Sequence, residues 1–427
     1  MRRSCGLSAL ERMRRLQLLT AMGRPSLRTL ARQPGYAALF AGGTLARLAD
    51  EMFSVAVVVL VLERTGSAAL AGATVAAVTL PSLVSGPLLG AWIDLTGRRR
   101  RLLVLDRLLI GAGLISLLAL TDAVPGWVLP LLVLPAGLTY PLSFGGLASM
   151  IPVLVPEDLL APANAAEASS MNGALVIGPA LAGVISGLAG PEAALITEAV
   201  LTLAAIPLIL RIPSLDSGRG RSGRTLLDTA AAGLRRLVAV PALRGVTATG
   251  VVSLAGFGLL TVAFPLFAAG GLGAQESAAG YLWAAFAVGS TAGALALVPL
   301  QARWPAETVV FAGTLLLGLL MLVWPLAPSL PVALALIGLT GLADGPALAA
   351  TYAVRQRHAP RSLYGQVFTT AASLKIGAFG TGAALAGPAV LALGARGTLV
   401  LAAALQFAAV ALGMALMRLR RDEQGRR

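Results

Sequence analysis

Residues 86–101 read Gly86-Pro87-Leu88-Leu89-Gly90-Ala91-Trp92-Ile93-Asp94-Leu95-Thr96-Gly97-Arg98-Arg99-Arg100-Arg101. An apolar helix with small residues at Gly86 and Gly90 ends on a single carboxylate, Asp94. A turn glycine and four arginines follow, and a new apolar run starts at Leu102. This is a tight turn between two bilayer-length helices, and Lys/Arg-rich turns stay on the cytoplasmic side of a membrane. The turn therefore sets the orientation of everything around it.

Outward from it the chain keeps the same character. Of its 427 residues 57% are apolar and only 12% are charged, and the mean hydropathy is +0.83. That composition describes a polytopic membrane protein. A spanning helix takes ~20 apolar residues. The runs predict twelve: Tyr36–Leu62, Ala68–Ile93, Leu102–Leu120, Trp127–Val153, Ala163–Leu188, Glu192–Leu210, Val246–Ala269, Ser277–Leu300, Glu307–Leu326, Pro331–Val354, Tyr364–Leu391 and Thr398–Met417. The 49 glycines suit helices that must approach closely without a hydrophobic force between them.

The basic residues test this topology. With both termini cytoplasmic, 28 of the 33 Lys/Arg fall on inner segments and two, Arg64 and Arg396, on outer loops. Arg47, Arg107 and Lys375 remain within helices. The net charge of +14 thus marks helix ends and loops rather than a nucleic-acid surface. Residues 1–35 read as a basic cytoplasmic extension, and 211–244 as a cytoplasmic linker whose stretch Leu226–Val240 suits a helix lying on the membrane surface. Residues 36–210 and 245–417 are expected to form two six-helix bundles, with 418–427 a cytoplasmic tail.

Three spacings relate the halves. Pro156-x-x-Leu159 recurs as Pro360-x-x-Leu363, and Gly178-x-Ala180-Leu181-Ala182-Gly183 as Gly382-x-Ala384-Leu385-Ala386-Gly387, both at an offset of 204. Gly86-xxx-Gly90 recurs as Gly289-xxx-Gly293 at 203. Parallel repeats of this kind build many secondary transporters.

Gly90, Asp94, Gly97, Arg98 and Arg99 also resemble the loop motif between the second and third helices of the major facilitator superfamily, with Leu95 where a basic residue is usual. The resemblance implies an all-α membrane fold of twelve helices in two pseudo-symmetric bundles, and a gate latch at this loop. Gly173, Gly178, Pro179 and Gly183 look like the glycine–proline motif of antiporters in that superfamily, with Ala182 in place of a glycine. The fourth predicted helix, by contrast, lacks the membrane arginine of many drug/proton antiporters: its run Gly137-Leu-Thr-Tyr140-Pro-Leu-Ser-Phe144-Gly-Gly146 carries no charge.

Ionisable side chains inside a bilayer are the first functional candidates. Arg47 lies three residues before Asp50 and four before Glu51, so pairing within one helix is available. One acid is then left over, as a proton-coupled carrier needs, and Asp50 matches an acid of drug-efflux members of the family; a static Arg–Asp pair is the alternative. Asp344 and Lys375 are expected to pair, either as a coupling switch or as a structural tie. Asp106 and Arg107 are assigned to the latch, with Glu157 and Asp158 either pairing with its arginines or solvated. Glu198 is expected to reach for the outer surface. Phe53, Tyr140, Phe144, Phe257, Phe264 and Tyr352 are candidate cavity-wall residues, suited to a bulky amphipathic compound, though helical packing alone also accounts for them.

The expectation is a monomeric secondary transporter of a bacterial inner membrane, exporting small amphipathic molecules in exchange for protons. Import or facilitated diffusion of a metabolite, and a transport-inactive sensor, are the alternatives. A single cysteine, Cys5, and a single histidine, His358, leave little for a metal site. No phosphate-binding Gly-Lys-Ser/Thr loop is present, so no cofactor and no enzymatic activity are expected.

Overall fold

Residues 27–96, 98–147, 150–156, 159–213, 226–296, 303–359 and 364–418 are described by the computed structural model, and every regular element among them is helical. The main helices are α1 (Tyr36–Thr65), α2 (Ala68–Thr79), α3 (Ser82–Thr96), α4 (Arg99–Leu120), α5 (Leu129–Thr139), α6 (Leu160–Ala189), α7 (Pro191–Leu210), α8 (Leu226–Ala239), α9 (Pro241–Leu272), α10 (Ala279–Ala296), α11 (Ala306–Met321), α12 (Leu330–His358) and α13 (Tyr364–Arg418). Seven stretches of described helix are long and apolar enough to cross a bilayer, and Gly126–Thr139 and Gly173–Ala189 are shorter apolar helices. This is a multi-pass membrane protein.

Two expected helices depart from regularity, each at a proline. The second is interrupted at Leu80-Pro81 between α2 and α3, because Pro81 has no N–H to give the ladder. The fourth breaks after α5 into a π-helical turn, Leu142–Gly146, and a short helix, Ile151–Leu154. Pro141 stands directly before that turn. The last two expected runs both lie in α13, which is two helices meeting at Gly394; its φ of 72° and ψ of 170° are non-helical, and a side-chain-bearing residue adopts such a φ only with strain.

Buried apolar side chains form one continuous body at one end of the molecule. It joins Val55–Leu62 of α1 and Leu114 of α4 to Phe257–Phe267 of α9 and Leu399–Ala403 of α13. At the other end the described buried apolar residues fall into two clusters. One cluster draws only on residues 30–212, including Leu39, Leu103, Met150 and Ile209. The other draws only on residues 237–371, including Leu243, Val310 and Val354. Arg64 at the end of α1 bonds Glu192 at the start of α7 and Asp122 beyond α4, so the joined end is the one that carries these three residues.

Glycine contacts repeat between the chain's two halves. A methyl added at Gly178 of α6 would lie 2.6 Å from Glu51 Cβ of α1, and one at Gly382 of α13 would lie 2.0 Å from the Ala255 carbonyl of α9. Both members of the contact are shifted by the same 204 residues. Cross-contacts join the halves as well: Gly280 of α10 abuts the Pro179 carbonyl, and Gly387 of α13 abuts Ala69 of α2.

At the divided end, arginines close helix C-termini. Arg100 Nη1 donates to the carbonyls of Ile212 (3.0 Å) and Leu210 (3.4 Å) beyond α7. Arg236 of α8 donates to His358 O at the end of α12 (3.0 Å). Arg244 donates through Nε to Leu416 O near the end of α13 (3.0 Å). Each places a cation on the negative pole of a helix and satisfies a carbonyl that has no partner within it. The stretch expected to be helical forms α8, and Leu237 anchors it against the core cluster of residues 237–371.

Candidate functional site

The charges of α1 do not pair along their own helix, as the spacing led us to expect; they pair across helices. Arg47 donates to both oxygens of Glu167 on α6, at 2.6 and 2.9 Å. Asp50 receives both Nη groups of Arg107 on α4, at 2.9 and 3.2 Å. The reason is geometric. Two parallel N–H···O bonds need a planar carboxylate facing the guanidinium fork, and a neighbouring helix presents one more readily than a residue one turn away.

Arg107 sits at the centre of a buried polar cluster. Besides Asp50 it donates to Asp106 Oδ2, from Nε at 3.1 Å and Nη2 at 2.7 Å, to the Ala46 carbonyl at 3.4 Å, and to Ser143 Oγ. Ser143 Oγ in turn donates to Asp106 Oδ2 at 3.1 Å. Arg107 and Asp106 are each 1% exposed and Asp50 4%. Their expected place in the arginine latch is therefore wrong. They lie seven and eight residues beyond Arg99, roughly 11 Å along α4, where they face α1 rather than the turn. The π-helical turn carries Ser143 to the cluster, as such turns often re-aim side chains at functional positions. The Asp–Arg arrangement that the uncharged fourth predicted helix could not supply is built by α4.

Above the cluster is a cavity of about 10 Å³, lined by Asp50, Phe53, Tyr140 and Glu198 among apolar side chains of α2, α4 and α5. That is the lower limit of the space that admits one water molecule. Glu198 of α7 does not reach the surface: it is 0% exposed. Glu51 is half-buried against Gly178.

The remaining candidates are scattered. Asp344 of α12 accepts a hydrogen bond from Ser290 of α10 at 2.9 Å. No Asp344–Lys375 ion pair is present among the described residues, and the Lys375 stem packs toward Gly250 of α9. Phe257 and Phe264 join an aromatic cluster with Trp283, Phe286 and Trp324, ring centroids 5.1–6.3 Å apart. They are core in this state, not an open wall. Tyr352 is exposed, with the Arg355 guanidinium 6.0 Å from its ring centre. Of the glycine–proline motif, Gly178 meets α1, Pro179 and Gly183 meet α10, and Gly173 meets open space. In the loop motif Gly97 and the side chain of Asp94 lie outside the described residues, as do Glu157, Asp158 and the side chain of Phe144. Gly90 is the penultimate turn of α3, and Arg98 and Arg99 open α4.

Residues 29–426 match the family model described as transmembrane secretion effector, of the major facilitator (MFS) type. An uncharacterized MFS-type transporter, y4rN of Sinorhizobium fredii, is 32% identical over 374 residues, covering 85% of this chain and 90% of that protein. The multidrug efflux pump Tap of Mycobacterium tuberculosis is 31% identical over 410 residues, covering 92% of this chain and 95% of the pump. Among solved structures, an inward-facing, unoccupied bacterial homologue of the lysosomal transporter Spinster superposes with a TM-score of 0.68 at 18% identity, covering 90% of this chain and 96% of that one.

Proposed function

Because this chain belongs to the transmembrane secretion effector family of the major facilitator superfamily, we propose that it exports small amphipathic compounds across a bacterial inner membrane in exchange for protons. Twelve helices in two pseudo-symmetric bundles, residues 36–210 and 245–417, work by alternating access, with both termini and the 211–244 linker on the cytoplasmic side. The repeated Gly178–Glu51 and Gly382–Ala255 contacts support the two bundles. The joined core at one end and the divided core at the other support halves that part in turn. The efflux direction leans on the relatives named multidrug efflux pumps.

The observation that carries proton coupling is the buried Asp50–Arg107 pair. A carboxylate accepts both arms of the fork; once protonated it keeps one acceptor fewer and becomes a donor. Arg107 then keeps Asp106 as its one paired carboxylate, and the tie between α1 and α4 slackens. A proton is thereby converted into a change of helix contact. Glu51, Asp344 and Lys375 are further proton-linked candidates of the same reading, and Tyr140, Phe53 and Tyr352 wall the substrate path.

The test is purified protein in liposomes with ethidium as probe and an imposed pH gradient. Wild type should move ethidium against its own gradient, and Asp50→Asn should lose gradient-driven flux while keeping ethidium exchange. Gradient-driven flux that survives Asp50→Asn with an unchanged pH profile refutes the assignment.

A further inference from the structure

Glu198 has no role in the pairings above, yet it is the most isolated carboxyl in the described protein. It is 0% exposed, and neither of its oxygens has a hydrogen-bond partner. The titratable and charged groups around it are few. From α1 come Asp50 and Glu51, from α4 Asp106 and Arg107, and from the chain after α5 Tyr140. Glu167, on α6, is held by Arg47. Arg107 is the cation nearest the cavity, and its donors are already committed to Asp50, Asp106, Ser143 and Ala46 O. An ionised Glu198 would therefore be an uncompensated buried charge. A carboxyl in that position is carried as the neutral acid.

Its place matters as much as its state. Arg64 of α1 and Glu192 of α7 are bonded at the joined end of the molecule. Glu198 is six residues below Glu192, roughly 9 Å, and Asp50 is fourteen below Arg64, roughly 21 Å. Glu198 thus stands between that surface and Asp50, and both acids line the same cavity of about 10 Å³, with Tyr140 beside them. One water fits such a volume.

We propose that Glu198 is a second proton-carrying group of the transporter, handing its proton to Asp50 through one water in the shared cavity. The step moves a single proton. The Glu198 acid gives it to the water, the water gives one to the Asp50 carboxylate, and the negative charge passes from Asp50 to Glu198. Arg107, released from the Asp50 carboxyl in the same step, becomes the countercharge for the Glu198 carboxylate across the cavity, so the charge on Glu198 is not left unpaired. On return the proton goes back, or Glu198 is refilled from the joined end. This assignment rests on proton-coupled export, and it places the supply of protons on α7.

The experiment combines infrared difference spectroscopy with flux in liposomes, on wild type, Glu198→Gln and Glu198→Asp, with ethidium as probe. Wild type should show the carbonyl stretch of a buried carboxylic acid, absent in Glu198→Gln. Gradient-driven ethidium flux should fall at least tenfold in Glu198→Gln, with exchange retained, and should return in Glu198→Asp, which restores the acid. A packing role would instead favour the near-isosteric Gln over the shorter Asp. If Glu198→Gln keeps the wild-type flux and pH profile, or the carbonyl band survives it, the proposal is overturned while the Asp50 reading stands. If Glu198→Gln does not fold, a wild-type spectrum without a buried-acid band, or flux unrestored in Glu198→Asp, overturns it. A wild type whose flux ignores the pH gradient overturns both readings.

Discussion

Gly280→Ala offers the sharpest test of how the halves meet. A methyl at Gly280 would lie 2.2 Å from the Pro179 carbonyl oxygen, 2.8 Å from Gly183 Cα and 3.0 Å from Gly183 N. All three are backbone atoms of α6, so no rotamer change relieves the clash. An ordinary C–H···O contact is ~3.3 Å or more, so α6 and α10 must part by about 1 Å. Overpacking of this order costs ~1–3 kcal/mol. The strain exists only while these segments touch, so an equilibrium between touching and parted states should shift by ~5–150-fold toward the parted one. Ser277 lies on the same seam, 7% exposed, with its carbonyl 2.6 Å from where a methyl on Gly183 would sit. In a Cys5→Ser background, a Ser277→Cys reporter should react with a membrane-impermeant maleimide faster by that factor once Gly280→Ala is added. Unchanged labelling alongside a lowered melting temperature would show that the strain is shared by every state, and would refute a seam that opens.

Arg107→Met should cost ~3–5 kcal/mol of thermal stability in detergent, because it leaves Asp50 and Asp106 buried without their cation; Asp50→Asn, which leaves Arg107 its Asp106 partner, should cost less. Arg100→Ala should cost about 1 kcal/mol by removing a charged donor from the carbonyls that end α7, with faster amide exchange confined to that helix end. The exposed Arg64–Glu192 bond ties the ends of α1 and α7 together, so Glu192→Gln should cost no more than ~1 kcal/mol, and a much larger loss of thermal stability would show that the pair holds more than two helix ends.

Much of the helix pattern was legible because the bilayer forces it. Backbone groups must be satisfied within each segment, so apolar length alone placed α4, α7 and α9 within a few residues of their ends. The interruption at Pro81 was less visible, since proline also occurs inside regular membrane helices, whereas the break at Gly394 falls between Leu391 and Thr398, where the apolar pattern separates the last two runs. The site was legible as a set of residues but not as a set of partners. Asp50 stood out because a charge in an apolar run is expensive, yet its partner Arg107 is 57 residues away. Sequence proximity favoured Arg47 instead, and put Arg107 with the arginine turn. Helix rotation decides such pairings, and neither hydropathy nor charge counting reports rotation. Glu198 was misread for the same reason: its distance from the helix end is readable, but the direction it faces is not.

The repeat sharpens what these charges mean. Gly178 and Gly382 occupy matching contacts because both halves need the same close approach of helices. The buried charges do not repeat. At the same offset Asp50 corresponds to Leu254, Arg107 to Phe311, Glu167 to Ala371 and Glu198 to Ala402. Matching positions of the two halves of the chain thus carry different charges, so the repeat in the sequence does not require the cluster. Buried ion pairs add little net stability over apolar packing, which makes a cluster present in only one half hard to assign to structure alone. The helix best placed to pass its state onward is α6. It is tied to α1 by the Arg47–Glu167 pair and by Gly178 against Glu51, and it meets α10 of the other half through Pro179 and Gly183. A change in charge on α1 therefore reaches the seam between the halves through directly packed atoms, which is the contiguous contact that coupling by packing uses.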